Sequence, residues 1–328
     1  MTSLFPTFDF HRVFVAPWTQ DLATQGWVML MGFFVATACG LVGNYLILRR
    51  MALVGDAISH SILPGLAIGF LLVHSRNSLV MFLGALAAGI VTTILIELIH
   101  KKSRVKQDAA IGITFSSLFA IGVILISLFA SKVDLDQECV LYGEINNVAL
   151  DFPYVSLGGF TLGPPALVRM AGVTIVVVLL IALFYKELLV SSFDPGLAFS
   201  LGINATVMHY SLMAMLSVVV VSAFESVGAI LVIAMLILPG AAAALLSQRL
   251  PVILLLSVFH AALSSVLGVH LGLALECSPA GAMVVMGTLL FALAWLFSPS
   301  QGLVAGWFRL RMKPLIPPDT DQAAKFKV

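Results

Sequence analysis

Long uncharged apolar runs, each close to the length that crosses a lipid bilayer, dominate the sequence. A membrane-spanning helix needs about 20 apolar residues, because each residue adds ~1.5 Å across a hydrocarbon layer of ~30 Å. Nine runs approach that length: 26–48, 54–73, 78–99, 109–130, 167–185, 205–223, 226–246, 251–273 and 279–298. With 60% hydrophobic and 10% charged residues, the composition excludes an ordinary soluble domain. The second and seventh runs contain Pro-Gly, so we predict an all-α polytopic membrane bundle of eight or nine transmembrane helices.

The basic residues orient this predicted bundle. Cytoplasmic loops of membrane proteins are enriched in Lys and Arg. With the N-terminus outside, 13 of the 17 Lys and Arg residues fall on the inner side. The four that fall outside are Arg12, Arg76, Lys132 and Arg169. We therefore predict an outer amphipathic segment over 1–25, a transmembrane domain over 26–298 and a cytoplasmic tail over 299–328.

Asp56 and His60 form an ionisable pair inside the second run. Four residues apart, they share one face of a helix. Carboxylate oxygen and imidazole nitrogen suit manganese, zinc and ferrous iron, although the two side chains could instead bind each other or a neighbouring helix. Counted from Arg50 at the inner boundary, His60 lies ~15 Å along the helix, near the membrane mid-plane. Pro64 and Gly65 follow and can open the backbone beside the site.

A short polar segment, 186–204, lies on the inside between two spans. Asp194 and Pro195 have the pattern of an N-cap followed by proline at the first helical position. One apolar face is formed at i, i+4 and i+8 by Phe193, Leu197 and Leu201. The pattern predicts a helix along the inner surface, whose apolar face meets either another subunit or the chain's own bundle.

Two similar Pro-Gly segments indicate a weak internal repeat. The segment 62–67 reads ILPGLA and 237–242 reads ILPGAA, and each lies in a span that follows a span and a turn. Transporter folds often contain such repeats. The roles of two further ionisable residues are not decided by the sequence. Glu225 is either a metal ligand near the outer side or an acid at the interface. His260 is either a metal ligand or bonded to a neighbouring helix.

The stretch 48–65, LRRMALVGDAISHSILPG, resembles the signature of permease subunits of the bacterial manganese/zinc/iron ABC importers. Those proteins have a similar arginine pair, then Met-Ala-Leu, Gly-Asp-Ala, Ser-His and Pro-Gly. The similarity continues through 186–244, and its order covers most of 26–297. The resemblance implies that Asp56 and His60 form the transmembrane metal site. The segment that contacts the ATPase in this family is matched by Phe193, Asp194, Ala198 and Gly202.

This resemblance implies a non-enzymatic permease subunit of an ATP-driven importer. Its cargo would be divalent manganese, zinc or iron, with no permanently bound cofactor. The sequence contains no Gly-x-x-x-x-Gly-Lys-Ser/Thr phosphate loop, so ATP hydrolysis is expected in a separate subunit. The implied partners are a cytosolic ABC ATPase dimer, a second permease chain (a copy or a paralogue), and an extracytoplasmic metal-binding protein. We expect a multi-pass protein of the bacterial plasma (inner) membrane with a cytoplasmic C-terminus, and the net charge of +1 gives no reason to expect nucleic acid.

The sequence leaves three other functions to compare with this one. An ion-coupled secondary metal carrier would use a mid-membrane carboxylate as a relay, but it gives the inner helix no obvious task. An ABC permease for a metal chelate would need no Asp/His pair along its pathway. An intramembrane zinc enzyme lacks a second histidine at helical spacing and any His-Glu-x-x-His pattern. The sequence does not distinguish manganese from zinc or iron.

Overall fold

The protein is a bundle of α-helices, which confirms the predicted fold class. The computed structural model describes residues 9–73, 78–129, 145–157, 160–298 and 302. A π-helical turn, His11–Val15, precedes the first α-helix. The α-helices in chain order are α1 (Ala16–Thr19), α2 (Leu22–Leu48), α3 (Val54–Ser61), α4 (Leu63–Val73), α5 (Ser78–Lys102), α6 (Gln107–Phe129), α7 (Pro165–Leu183), α8 (Tyr185–Phe193), α9 (Pro195–Ser200), α10 (Ala205–Leu246), α11 (Leu250–Leu275) and α12 (Pro279–Phe297).

Within the described part of the chain, eight helical stretches are long and apolar enough to cross a membrane. They are α2, α3 with α4, α5, α6, α7, the first half of α10, α11 and α12. A ninth apolar helix, Leu231–Leu246, is shorter. The range of eight or nine expected from the hydropathy pattern is therefore confirmed, and the uncertain seventh run is the short one.

The long helix α10 turns back on itself at Gly228. Gly228 has φ 74° and ψ 170°, a conformation that side chains with a Cβ rarely adopt. On one side of this kink, His209 lies beside Arg49, just after α2. On the other side, Gly240 packs against Asn44 of α2. Both ends of α10 therefore lie at the same end of the bundle, and the returning helix is only ~24 Å long at ~1.5 Å per residue.

Helix α2 lies at the centre of the bundle and packs against α7, α10 and α11. Small residues let the backbones approach closely, as is usual for helix contacts in membranes. A Cβ on Gly43 would overlap the carbonyl of Leu236, and one on Gly32 would meet the side chain of Met283. Tyr45 is fully buried in the same core.

The second span is interrupted at Ile62, between α3 and α4. Pro64 therefore lies in the first turn of α4, where its missing N–H removes no helical bond. Gly65 serves close packing, since a Cβ there would overlap the carbonyl oxygen of Gly84 on α5. The interruption precedes the Pro-Gly pair, and its place beside a transport pathway stays a prediction.

The segment before α2 has an apolar stripe on its outer surface. Side chains at every fourth position, Phe10, Phe14, Trp18 and Leu22, are exposed. Val13, Ala16 and Pro17 are buried on the opposite side. This pattern suits a helix lying in a membrane interface, and the outer amphipathic segment 1–25 stays a prediction. Residues 1–8 and, except for residue 302, the predicted tail 299–328 lie outside the described residues.

Between α6 and α7 the described residues include a 3-10 helix and a small hairpin. The 3-10 helix spans Ile145–Leu150. Strand β1 (Val155–Leu157) pairs antiparallel with β2 (Phe160–Gly163). Tyr154 donates a hydrogen bond to the carbonyl of Ala149 and so ties the 3-10 helix to the hairpin.

Candidate functional site

The structure brings Asp56 and His60 together on α3. Nε2 of His60 lies 3.3 Å from Oδ1 of Asp56, and the two side chains remain 30% and 40% exposed. Their neighbours Ala57, Ile58 and Ser59 are buried on the other side of α3. The pair therefore lies on a face of this helix that the described part of the chain covers only in part.

Two aromatic rings of α6 border the imidazole. The ring centre of Phe115 lies 5.9 Å from that of His60, and Phe119 meets it edge-on at 6.1 Å. Such contacts restrict the rotation of the ring without competing for its nitrogen atoms. The sequence gives no signal for either residue, because two phenylalanines four positions apart on an apolar helix are equally typical of a surface that faces lipid.

The pair can supply a cation with two kinds of ligand. Nε2 of His60 and Oδ1 of Asp56 face each other, so a cation that replaces the proton between them can take both atoms as ligands. No group of three or more His, Cys, Asp or Glu side chains suited to a metal occurs within the described ranges. One chain thus offers two protein ligands, fewer than the four typical of a closed structural zinc site.

Of the two further candidates, the structure describes the side chain of His260 alone. His260 on α11 is buried, and its Nε2 lies 3.1 Å from the carbonyl oxygen of Gly287 on α12. This contact corresponds to the alternative of a bond to a neighbouring helix. Glu225 belongs to α10, one turn before the kink at Gly228, and its side chain lies outside the described part of the structure.

The short helix predicted after Asp194 is present as α9, and its place on the inner surface stays a prediction. The Asp194 carboxylate caps it by accepting hydrogen bonds from the backbone N–H groups of Gly196 and Leu197, at 2.9 and 3.0 Å. Gly202 ends it with φ 78°, and the N–H of Ile203 donates to the carbonyl of Ala198. This is the Schellman arrangement, in which glycine is favoured at the left-handed position.

Three of the four residues that match the family, Asp194, Ala198 and Gly202, determine the conformation and packing of α9. The exposed surface of the segment is formed mainly by other residues. Ala198 is fully buried, whereas Phe199 is 84% exposed. The exposed apolar side chains of the segment are Phe193, Leu197, Phe199 and Leu201. The face predicted from the i, i+4, i+8 spacing is therefore not covered by the chain's own described residues, and Phe199 extends it.

Comparison with known protein families supports the resemblance seen in the sequence. The family model described as "ABC 3 transport family" matches residues 22–298. This range includes α2 to α12, with Asp56, His60 and the α9 segment.

Curated relatives match over most of the chain. A manganese transport system membrane protein, MntD of Bacillus subtilis (strain 168), is 44% identical over 86% of this chain and 95% of its own length. A zinc transport system membrane protein, TroD of Treponema pallidum (strain Nichols), is 47% identical over 84% of this chain and 75% of its own length.

Solved structures show the same fold. PsaBC from Streptococcus pneumoniae, solved in complex with Fab, matches with a TM-score of 0.70 and 34% identity. The match covers 87% of this chain and 94% of that one. An inward-facing putative metal-chelate type ABC transporter has a TM-score of 0.62 at 17% identity, which is evidence for the fold alone.

Proposed function

The chain belongs to the ABC 3 transport family, and from that premise we propose that it is the permease of an ATP-driven importer for divalent transition-metal ions. A multi-pass permease subunit of an ABC metal transport system follows from the family and from relatives named for manganese and zinc. This family membership favours an ATP-driven system over the ion-coupled carrier considered from the sequence. Import, delivery by an extracytoplasmic binding protein and ATP hydrolysis by a separate dimer belong to the proposal.

The observation that best supports metal as the cargo is the half-exposed Asp56–His60 pair. An oxygen and a nitrogen ligand suit Mn²⁺, Zn²⁺ and Fe²⁺. Two ligands from one chain leave the coordination sphere incomplete, so water or a second permease chain would supply the rest. An incomplete sphere is expected of a transported ion, which has to be taken up and then released.

The exposed face of α9 supports coupling to an ATPase. Large apolar side chains that lie outside the predicted spans are unusual on a free surface, and Phe193, Leu197 and Phe199 occur together there. The sequence has no phosphate loop of its own. In the proposed cycle, metal enters from the outer side, binds at Asp56 and His60, and leaves inward as ATP-driven movement at α9 rearranges the bundle.

Metal uptake by proteoliposomes that contain the complete importer tests this proposal. Asp56→Ala and His60→Ala are each expected to lower Mn²⁺ or Zn²⁺ uptake by about tenfold or more, since even supporting residues of metal sites contribute 10–100-fold. The pair is half exposed, so its removal should cost only about 0–1 kcal/mol of stability. Thermal unfolding of each variant checks this second expectation.

The matched control is His100→Ala combined with Asp108→Ala. It also removes one imidazole and one carboxylate, from exposed positions on α5 and α6. Wild-type uptake is expected from this control. Normal uptake by both Asp56→Ala and His60→Ala would contradict the proposal. Uptake of a metal chelate by the proteoliposomes, in place of the free ion, would support the chelate alternative.

A further inference from the structure

The side chain of Arg49 joins three helices at the end of the bundle where α2 finishes. Its Nε donates to Oγ of Ser192 and its Nη2 donates to Oγ of Ser191, both at 3.0 Å. Its Nη1 lies 3.3 Å from Nδ1 of His209. All three guanidinium nitrogens are therefore engaged, two with α8 and one with α10.

The serines that Arg49 binds lie in the last turn of α8. Ser191 and Ser192 are followed by Phe193 and then by Asp194, which caps α9. A displacement of α9 by a partner would therefore act on the two serines through three residues of chain or fewer. Movement of the two serines would in turn displace the guanidinium group of Arg49, to which both are hydrogen-bonded.

On its other side, Arg49 is linked to α3 by a tightly hydrogen-bonded turn. The N–H of Met51 donates to the carbonyl of Leu46, and the N–H of Arg50 donates to that of Ile47. These bonds form a Schellman closure with Arg50 in the left-handed position, at φ 58°. The N–H of Val54 then donates to the carbonyl of Met51 and begins α3. Because these hydrogen bonds hold the turn closed, Arg49 is connected to the helix that contains Asp56 by a short and ordered segment.

His209 anchors this arrangement to α5. Arginine only donates hydrogen bonds, so Nδ1 of His209 accepts, and Nε2–H donates to Oε2 of Glu97 at 3.2 Å. The same carboxylate binds Nζ of Lys101 through Oε1 at 2.6 Å. Arg49 thus lies between a hydrogen-bonded group made by α5 and α10 and the end of α8 that leads into α9.

We propose that Arg49 is a positioning residue that transmits movement of α9 to the metal-binding helix α3, through its bonds to Ser191 and Ser192. This inference rests on the proposed function, since it assumes an ATPase at α9 and a metal at Asp56. The planar guanidinium donates in fixed directions to several acceptors at once, which the single ammonium group of lysine does not reproduce. Arg49→Lys is therefore expected to be a poor substitute.

The test is the number of Mn²⁺ ions transported per ATP hydrolysed by the complete importer in proteoliposomes. Arg49→Ala is expected to lower this ratio roughly 5- to 150-fold, the usual range of coupling between separate sites. Binding of the ATPase and of Mn²⁺ should persist, because Phe199 of α9 and the Asp56–His60 pair are unchanged. Ser191→Ala combined with Ser192→Ala should lower the ratio in the same direction.

Control variants separate coupling from folding. Arg104→Ala removes an exposed arginine at the same end of the bundle and should leave the ratio unchanged. Adding Arg49→Ala to the serine pair should cost little more than Arg49→Ala alone, because residues in one network are not additive. The serine pair also tests the inference if Arg49→Ala does not assemble.

A wild-type ratio in Arg49→Ala or in the serine pair would overturn the inference. This holds also when ATP hydrolysis and uptake fall in parallel, because a constant ratio indicates a purely structural role. Failure of the proposed function looks different, because the wild-type complex itself would then move no metal when it hydrolyses ATP.

Discussion

At the scale of single residues, the Asp56–His60 pair differs from a permanent metal site in its exposure and in its number of ligands. Structural zinc sites are closed by four protein ligands. Here one carboxylate and one imidazole face outward from α3, bordered by Phe115 and Phe119. Spacing alone predicted the shared helix face, because i and i+4 positions always meet there. It did not predict the aromatic border, which depends on how α6 packs against α3.

Asp194 gives a prediction at this scale. Its carboxylate satisfies two backbone N–H groups at the start of α9, and replacing such a cap by alanine costs about 0.5–2 kcal/mol. Asp194→Ala should loosen α9 and weaken binding of the ATPase, measured as retention of the ATPase on the immobilised permease. Asp194→Asn is the control, because asparagine caps equally well. Equal retention by the two variants would contradict a role for the folded helix in ATPase binding.

At the scale of helices, close contacts between α4 and α5 fix the span that contains the metal-site candidates. Gly65 and Gly84 face each other so closely that a Cβ on either would overlap the other's carbonyl. The sequence indicated that Pro64 and Gly65 could open the helix beside the site. The structure shows close packing, and the interruption lies at Ile62 instead.

Gly65→Ala is therefore expected to destabilise the permease by about 1–3 kcal/mol, the usual cost of overpacking. Gly112→Ala is the matched control, since a Cβ at Gly112 on α6 has nothing within 4 Å. This control should raise stability by roughly 0.5–1 kcal/mol, because glycine is unfavourable in a helix interior. Thermal unfolding of the two purified variants measures the difference, and equal midpoints would contradict the packing argument.

At the scale of the whole molecule, hydropathy predicted the helix count and the positions of most spans. Run length is a physical requirement of the bilayer, so it can be counted in the sequence. The division into runs 205–223 and 226–246 predicted a reversal between them, but not that Gly228 is its pivot, because a glycine in an apolar run equally suits close packing or a left-handed turn. The network of Arg49, His209 and Glu97 could not be predicted either, since its members come from three separate runs.

The assembled importer offers the most direct test of the proposed metal site. Zinc can be located by anomalous scattering in an experimental structure of the metal-loaded complex. We expect a zinc peak within about 2.0–2.2 Å of a carboxylate oxygen of Asp56 and a ring nitrogen of His60. A peak elsewhere in the membrane, with both side chains turned toward lipid, would contradict it.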